Sequence, residues 1–419
     1  MNYSKSTKLT LFSAFAWLFL AMGAGVLASL KLHMGTFLSD KASLTYGILD
    51  AISFDTLVYG FGGNLLLAIG FIDRKERGSE PGNVSSFGIV LWNFFLLLGV
   101  IEILNLGSPG LKLMNFPAAV NLGLIVGFTL ASYQAVAGLL RFQSDDRYVA
   151  HLFALLAFIS LLASFWIAQI WIYKSGIMGV GLSLVAQWYA NTVLYVTLPA
   201  ASIAICLRGV ESHASAIGSV RGSGAIMLLW ALIVFGFFGG VPEGFPVGGA
   251  VASLSTVSSW FVAVAAIYFL RSTAPALRDC ANGGFSWRSL AVTLITAALV
   301  LKAIVGSRPF TDALGLTTVV DGLELAVAVG AMGIIGLGLS QAGGENPSQP
   351  QLVGFKRWAL GFALLAVALI GHGWLNATFF LRFHIIGALS LAILGAAIAF
   401  CWARALCSDC CGPDKVSAS

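Results

Sequence analysis

The sequence predicts an all-α, polytopic membrane protein of about twelve transmembrane helices. Two observations carry this. The chain is 58% hydrophobic and only 10% charged, with a mean hydropathy of +0.91, whereas a soluble domain carries about 25% charged residues. The apolar residues also gather into stretches of about twenty, long enough to cross a bilayer as a helix. The net charge of +5 is scattered over connections, so it gives no nucleic-acid signal.

Hydropathy places the spans near 9–31, 51–72, 86–105, 117–140, 149–172, 179–206, 223–240, 248–270, 287–306, 318–340, 357–376 and 384–405. The apolar run of the first is too long for a secretory leader, and no small-residue cleavage site stands out. The second lies inside the stretch from Tyr46 to Arg77, YGILDAISFDTLVYGFGGNLLLAIGFIDRKER, which ends on a basic stop. At its middle, Phe61-Gly62-Gly63-Asn64 lets another backbone approach closely, because glycine has no side chain to hold it off. Connections are short, which predicts one membrane domain over 1–419 with its helices in 9–405. The stretches 77–85 and 342–353 are Gly/Pro/Asn-rich loops, and 406–419 is a short tail.

Lys and Arg set the predicted orientation. The N-terminus, the even-numbered connections and the tail hold 16 of them, against 7 at the odd-numbered connections and nearby helix ends. The positive-inside rule then puts both termini in the cytoplasm. Trp171, Tyr173, Trp287 and Trp358 fall near span ends, where interfacial anchors belong.

Ionisable residues inside spans are costly and are functional candidates by default. Asp55, Glu102, Lys302, Asp321 and Glu324 fall in the outer half of the bundle, with Asn191 nearer the middle. Two uses are open: an ion-pair cluster with Lys302 against Glu324 or Asp321, or a proton path through Asp55, Glu102 and Glu324. The tail cysteines Cys407, Cys410 and Cys411 include one C-x-x-C pair, half of what a structural zinc site needs. They read as free thiols, with a metal shared with a partner or lipidation as alternatives.

Five places, in order, carry a family resemblance: the YG…FGGN stretch, Arg147-Tyr148-Val149-Ala150, Gln187-Trp188-Tyr189-Ala190-Asn191, Trp230-Ala231-Leu232-Ile233 with Gly239-Gly240, and Asp321-Gly322-Leu323-Glu324-Leu325-Ala326. There the chain resembles subunit I of the haem-copper oxidases, nearest to the cbb3-type cytochrome c oxidases, over essentially its whole length. The resemblance implies the twelve-helix oxidase bundle, the bacterial cytoplasmic membrane, haem b and copper as cofactors, and membrane partners that include a cytochrome c-type subunit.

The family's ligand positions read differently here. Ungapped placement puts Ser53 at the second-helix haem ligand and Asn191 at the sixth-helix copper ligand. Pro242 and Glu243 fall at the paired seventh-helix copper ligands, and Leu323 and Leu325 at the two tenth-helix haem ligands. Gly236 falls at the redox tyrosine. The family needs six histidines, whereas this chain has five, at His33, His151, His213, His372 and His384, none spaced to pair with another. Neutral imidazole is what both metals ask for. The predicted function is therefore a homologue without haem or copper of its own, with no catalytic and no metal residues. It would act as an integral-membrane scaffold subunit of a respiratory or electron-transfer complex, in contact with lipid and other membrane subunits. The alternatives are a working terminal oxidase or nitric oxide reductase subunit, and a proton channel or small-solute transporter. On the outer side, a haem shared with a partner would fall to His33, His372 or His384. Glu243 reads as a solvated loop carboxylate or a partner contact.

Overall fold

The computed structural model describes residues 5–34, 36–76, 82–140, 148–174, 179–211, 223–239, 248–279, 287–314 and 318–341. The longer regular elements among them are all helices. α1 is Lys5–His33, and α2 runs as Tyr46–Asp55, Thr56–Gly63 and Asn64–Glu76. α3 is Asn83–Leu106, α4 Ala118–Leu140 and α5 Tyr148–Lys174. α6 runs as Val180–Thr192, Val193–Thr197 and Leu198–Glu211. α7 is Ser223–Val234, α8 Gly249–Asp279, α9 Trp287–Val305 and α10 the short Arg308–Leu314. α11 runs as Thr318–Leu325, Ala326–Ala331 and Met332–Gln341.

Nine of these are long and apolar enough to cross a membrane. They fall at predicted spans one to six and eight to ten. The helices make this choice because hydrocarbon offers no partner for a backbone N–H or C=O, and a helix satisfies them within itself. The predicted spans 357–376 and 384–405 lie outside the described residues, as do His213, His372, His384, Trp358 and the tail cysteines.

The predicted span 223–240 differs. α7 is helical for only 12 residues, or roughly 18 Å. It then tightens into the 3₁₀ turn Gly236–Phe238. Non-helical backbone at membrane depth is tolerated where protein covers it, and here α6 does so. Trp188 donates from Nε1 to the Phe237 carbonyl at 2.9 Å, and Asn191 from Nδ2 to the Gly236 carbonyl at 3.2 Å.

Chain neighbours pack as neighbours in space: α1 on α2, α3 on α4, α4 on α5, α5 on α6, α7 on α8, and α8 on α9. α2 and α6 are wholly enclosed by the other helices, and α11 very largely so. These three central helices share a second property. Each carries a π-helical stretch at mid-length, Thr56–Gly63, Val193–Thr197 and Ala326–Ala331. The stretch on α11 touches those on α2 and α6. Such bulges are rare and gather at functional sites.

Glycine sets the spacing. A Cβ added at Gly60 would lie 2.6 Å from Trp17, and one at Gly63 would lie 2.8 Å from the Trp92 ring. The α3–α4 crossing is tighter still and reciprocal: a Cβ at Gly88 would lie 2.2 Å from the Ala131 nitrogen, and one at Gly127 2.8 Å from the Trp92 nitrogen. Neither backbone can retreat without moving a helix. Gly88→Ala should therefore lower stability by about 1–3 kcal/mol. Gly23→Ala, where an added Cβ meets nothing within 4 Å, should not lower it, since alanine is the better helix former. Thermal unfolding in detergent reads the difference.

Candidate functional site

The connection from Gly107 to Pro117 builds the polar centre at one end of the bundle. Its sequence, GSPGLKLMNFP, is written for turns. Gly107 and Gly110 sit at φ 85° and 73°, where glycine is at ease. Leu113 is the exception: a fully buried leucine at φ 57°, a conformation a non-glycine residue keeps only when its surroundings hold it there. Its carbonyl accepts the Tyr59 hydroxyl from α2.

That fold aims two side chains inward, Lys112 and Asn115. Lys112 Nζ lies 2.5 Å from Glu324 Oε2 and 3.8 Å from Asp321 Oδ1 on α11. It also sits 5.3 Å from the centre of the Phe54 ring. Asn115 donates from Nδ2 to both oxygens of Asp55, at 3.2 and 3.1 Å, and accepts from the Ser108 hydroxyl at 2.7 Å. Asp55 and Glu324 are buried, whereas the Asp321 side chain is 60% exposed. Burial alone would lower the Lys112 ammonium. The carboxylates of Glu324 and Asp321 outweigh it and hold Lys112 above its ordinary value.

Beneath this connection lies an aromatic stack. The rings of Tyr59 and Phe165 stack at 5.7 Å and those of Phe165 and Tyr189 at 5.4 Å, while the two tyrosine hydroxyls bond at 3.0 Å. Trp92 meets Tyr59 edge-on at 6.2 Å. Aromatic groups with satisfied hydroxyls thus fill the space between α2, α3, α5 and α6.

Between α6, α8, α9, α10 and α11 a cavity of about 120 Å³ remains. Its polar walls include Asn191, Lys302, Ser259, Thr256 and Glu324, and its apolar walls include Tyr195, Val305, Val320 and Leu323. The Lys302 ammonium lies 4.0 Å over the Tyr195 ring, a cation–π contact. Asn191 is 4% exposed, and its Oδ1 has no hydrogen-bond partner.

Several sequence-predicted residues meet here. Asp321, Glu324, Lys302 and Asn191 surround one region. Glu324 takes Lys112 as its ion-pair partner, and Lys302, expected against Glu324 or Asp321, makes no ion pair among the described residues but lies within the field of Glu324. The reason is reach: the Gly107–Pro117 connection folds over the end of α11 and delivers its lysine first. Glu102 is half-buried on α3 and joins neither group, since it is the connection after α3 that covers the acids. Sequence reasoning missed Lys112, Asn115, Tyr59 and Tyr195. The turn signals around Lys112 were visible, but nothing in them says that the loop turns inward.

No family model matches the chain, and no curated protein does. The fold matches a solved structure described as a heme-copper terminal oxidase dimer, with a TM-score of 0.67 and 11% sequence identity. The match covers 98% of this chain and 85% of that one. The architecture is therefore the haem-copper oxidase-like bundle.

The side chains at the positions resembling that family's ligands do not fit a haem and a copper. Ser53 spends its hydroxyl on the Ala21 carbonyl at 2.8 Å, and Asn191 spends an amide hydrogen on Gly236. Leu323 is buried, Leu325 packs against the core, and neither offers a donor atom. Pro242 and Glu243 lie outside the described residues. Among the described residues no three His, Cys, Asp or Glu side chains converge as a metal site would need. His151 is buried near the start of α5, and α1 carries His33 at its last turn.

Removing one partner of a buried ion pair leaves the other uncompensated. Because the Lys112 side chain keeps 27% of its exposure, Glu324→Gln should cost about 3 kcal/mol, at the low end for buried pairs. Asp321→Asn should cost under about 1 kcal/mol. The double variant Lys112→Met/Glu324→Leu should recover most of the loss. A double-mutant cycle by chemical denaturation checks all three.

Proposed function

We propose that this chain is a cofactor-free relative of oxidase subunit I, nearest the cbb3 type, serving as an integral-membrane scaffold subunit of a respiratory or electron-transfer complex. One observation carries the reading. The bundle is kept, with its glycine contacts and enclosed central helices, while Ser53 and Asn191 at ligand positions bond to the protein's own backbone. Helix packing depends on small residues and shape. Redox chemistry depends on imidazole ligands. The first requirement is met and the second is not met by these side chains.

A scaffold needs a surface for other subunits. Large apolar side chains face outward along α3, among them Phe87, Phe94 and Leu97, and along α8, among them Leu254, Trp260 and Phe261. Lipid or neighbouring subunits cover such faces. The buried acids support scaffolding over a proton path, because Asp55 is held by Asn115 and Glu324 by Lys112.

The test is the state of the chain in its native membrane. After mild solubilisation, native electrophoresis should place it in an assembly with other membrane subunits, a c-type cytochrome among them. Reconstituted alone, it should pass protons no faster than empty vesicles. A chain that runs by itself and conducts protons or takes up solute would overturn the scaffold reading in favour of a transporter.

A further inference from the structure

We infer that the outward face of α3 is the docking face for one spanning helix of another subunit, and that this helix carries a basic residue level with Glu102. The inference rests on the scaffold reading and gives the partner its chemistry.

The face is as tall as a membrane span. Phe87, Val90, Phe94, Leu97 and Ile101 are exposed, and their spacing of three and four residues puts them on one side of α3. Residues 87–106 extend roughly 30 Å at helical rise, the thickness of the hydrocarbon core. A helix laid along them meets side chains over its whole height.

Glu102 stands within this apolar band. It lies one turn before the end of α3 at Leu106, roughly 6 Å from it, and the exposed Ile101 and Leu106 bracket it on both sides. Glu102 makes no hydrogen bond and no ion pair among the described residues. Asn105 is exposed and donates its amide to the Ile101 carbonyl at 2.9 Å, which leaves its Oδ1 to accept. Residues three apart are neighbours on a helix, so a carboxylate and an amide oxygen present acceptors side by side. Lipid tails supply neither a donor nor a counter-charge. An ammonium or a guanidinium supplies both, and the guanidinium fork reaches two acceptors at once.

Two other occupants fit less well. The outward face of α8 over residues 251–268 is as apolar but holds no charged residue, so lipid covers it at no electrostatic cost. On α3 the same lipid would leave Glu102 unpaired. A second copy of this chain, packed on the same face about the two-fold axis of a closed dimer, would bring Glu102 to Glu102. That pairs two acids and supplies no donor.

The experiment is photo-crosslinking in the native membrane, with p-benzoylphenylalanine in place of Leu97 on α3 or, as the control, of Val257 on α8, which is also exposed. Mass spectrometry identifies the joined peptides, and native electrophoresis reads the assembly. From Leu97 the expected product joins this chain to an apolar span of another subunit, with an arginine or lysine near one end of that span. From Val257 no protein product is expected. Glu102→Lys should lower the Leu97 product and the assembled share about tenfold, because like charges now face each other. Glutamate in place of the partner's basic residue should restore both. Should Glu102→Lys fail to fold, Glu102→Gln is the second variant, with a smaller loss in the same direction. A Leu97 product with a second copy of this chain, a partner span without a basic residue, or a product untouched by both variants would overturn the docking face. So would lipid alone at Leu97 in an assembly that stays intact, and the scaffold reading would then stand. A chain that migrates alone and yields no protein product would overturn both.

Discussion

Close approach of helices at glycine is the constraint on which the rest of the bundle depends. Lipid tails are as apolar as leucine, so hydrophobicity does little to draw one spanning helix to another. What holds them is contact, and contact needs small residues. Gly60 and Gly63 let Trp17 and Trp92 lie against α2, and Gly88 and Gly127 let α3 and α4 meet backbone to backbone. Once α2 is seated this deeply, every polar group on it must be satisfied by protein. Tyr59, Asp55 and Asn64 accordingly find Leu113, Asn115 and Gly60.

The same logic explains the connection after α3. A surface loop would leave Asp55 and Glu324 without partners in a medium that does not solvate charge. The Gly107–Pro117 segment answers by entering the bundle, which demands tight turns at Gly107 and Gly110 and an uncommon backbone at Leu113. The strain at Leu113 is offset by what it presents, a carbonyl for Tyr59 on one side and Lys112 and Asn115 for the acids on the other. Where the loop does not reach, Lys302 and Asn191 are left facing a cavity.

Fold class and helix positions were legible in the sequence because both follow from hydropathy, a local property. Predicted spans such as 149–172 and 287–306 differ by no more than a couple of residues from Tyr148–Lys174 and Trp287–Val305. The shortened α7 was less legible: its apolar run continues through FGFFGG, and only the glycines hint that the helix stops. The acids were found because charge in an apolar span stands out. Their partner was not, because Lys112 lies in a polar loop where a lysine is ordinary, and its inward turn is a tertiary fact. Lys302, expected against Glu324 or Asp321, feels the charge of Glu324 without an ion pair to it, because Lys112 reaches that acid first. Tyr59, Tyr189 and Phe165 looked like any aromatic residues of a membrane helix, and only the fold assembles them into one stack.

The central claim is that this bundle keeps the oxidase architecture without the oxidase metals. A reduced-minus-oxidised visible spectrum of the purified chain, with iron and copper analysis on the same sample, addresses it most directly. The account predicts no haem bands and no stoichiometric iron or copper in the chain itself. Haem bands at one or more equivalents per chain would contradict it, and would direct mutation first to His33, His372 and His384.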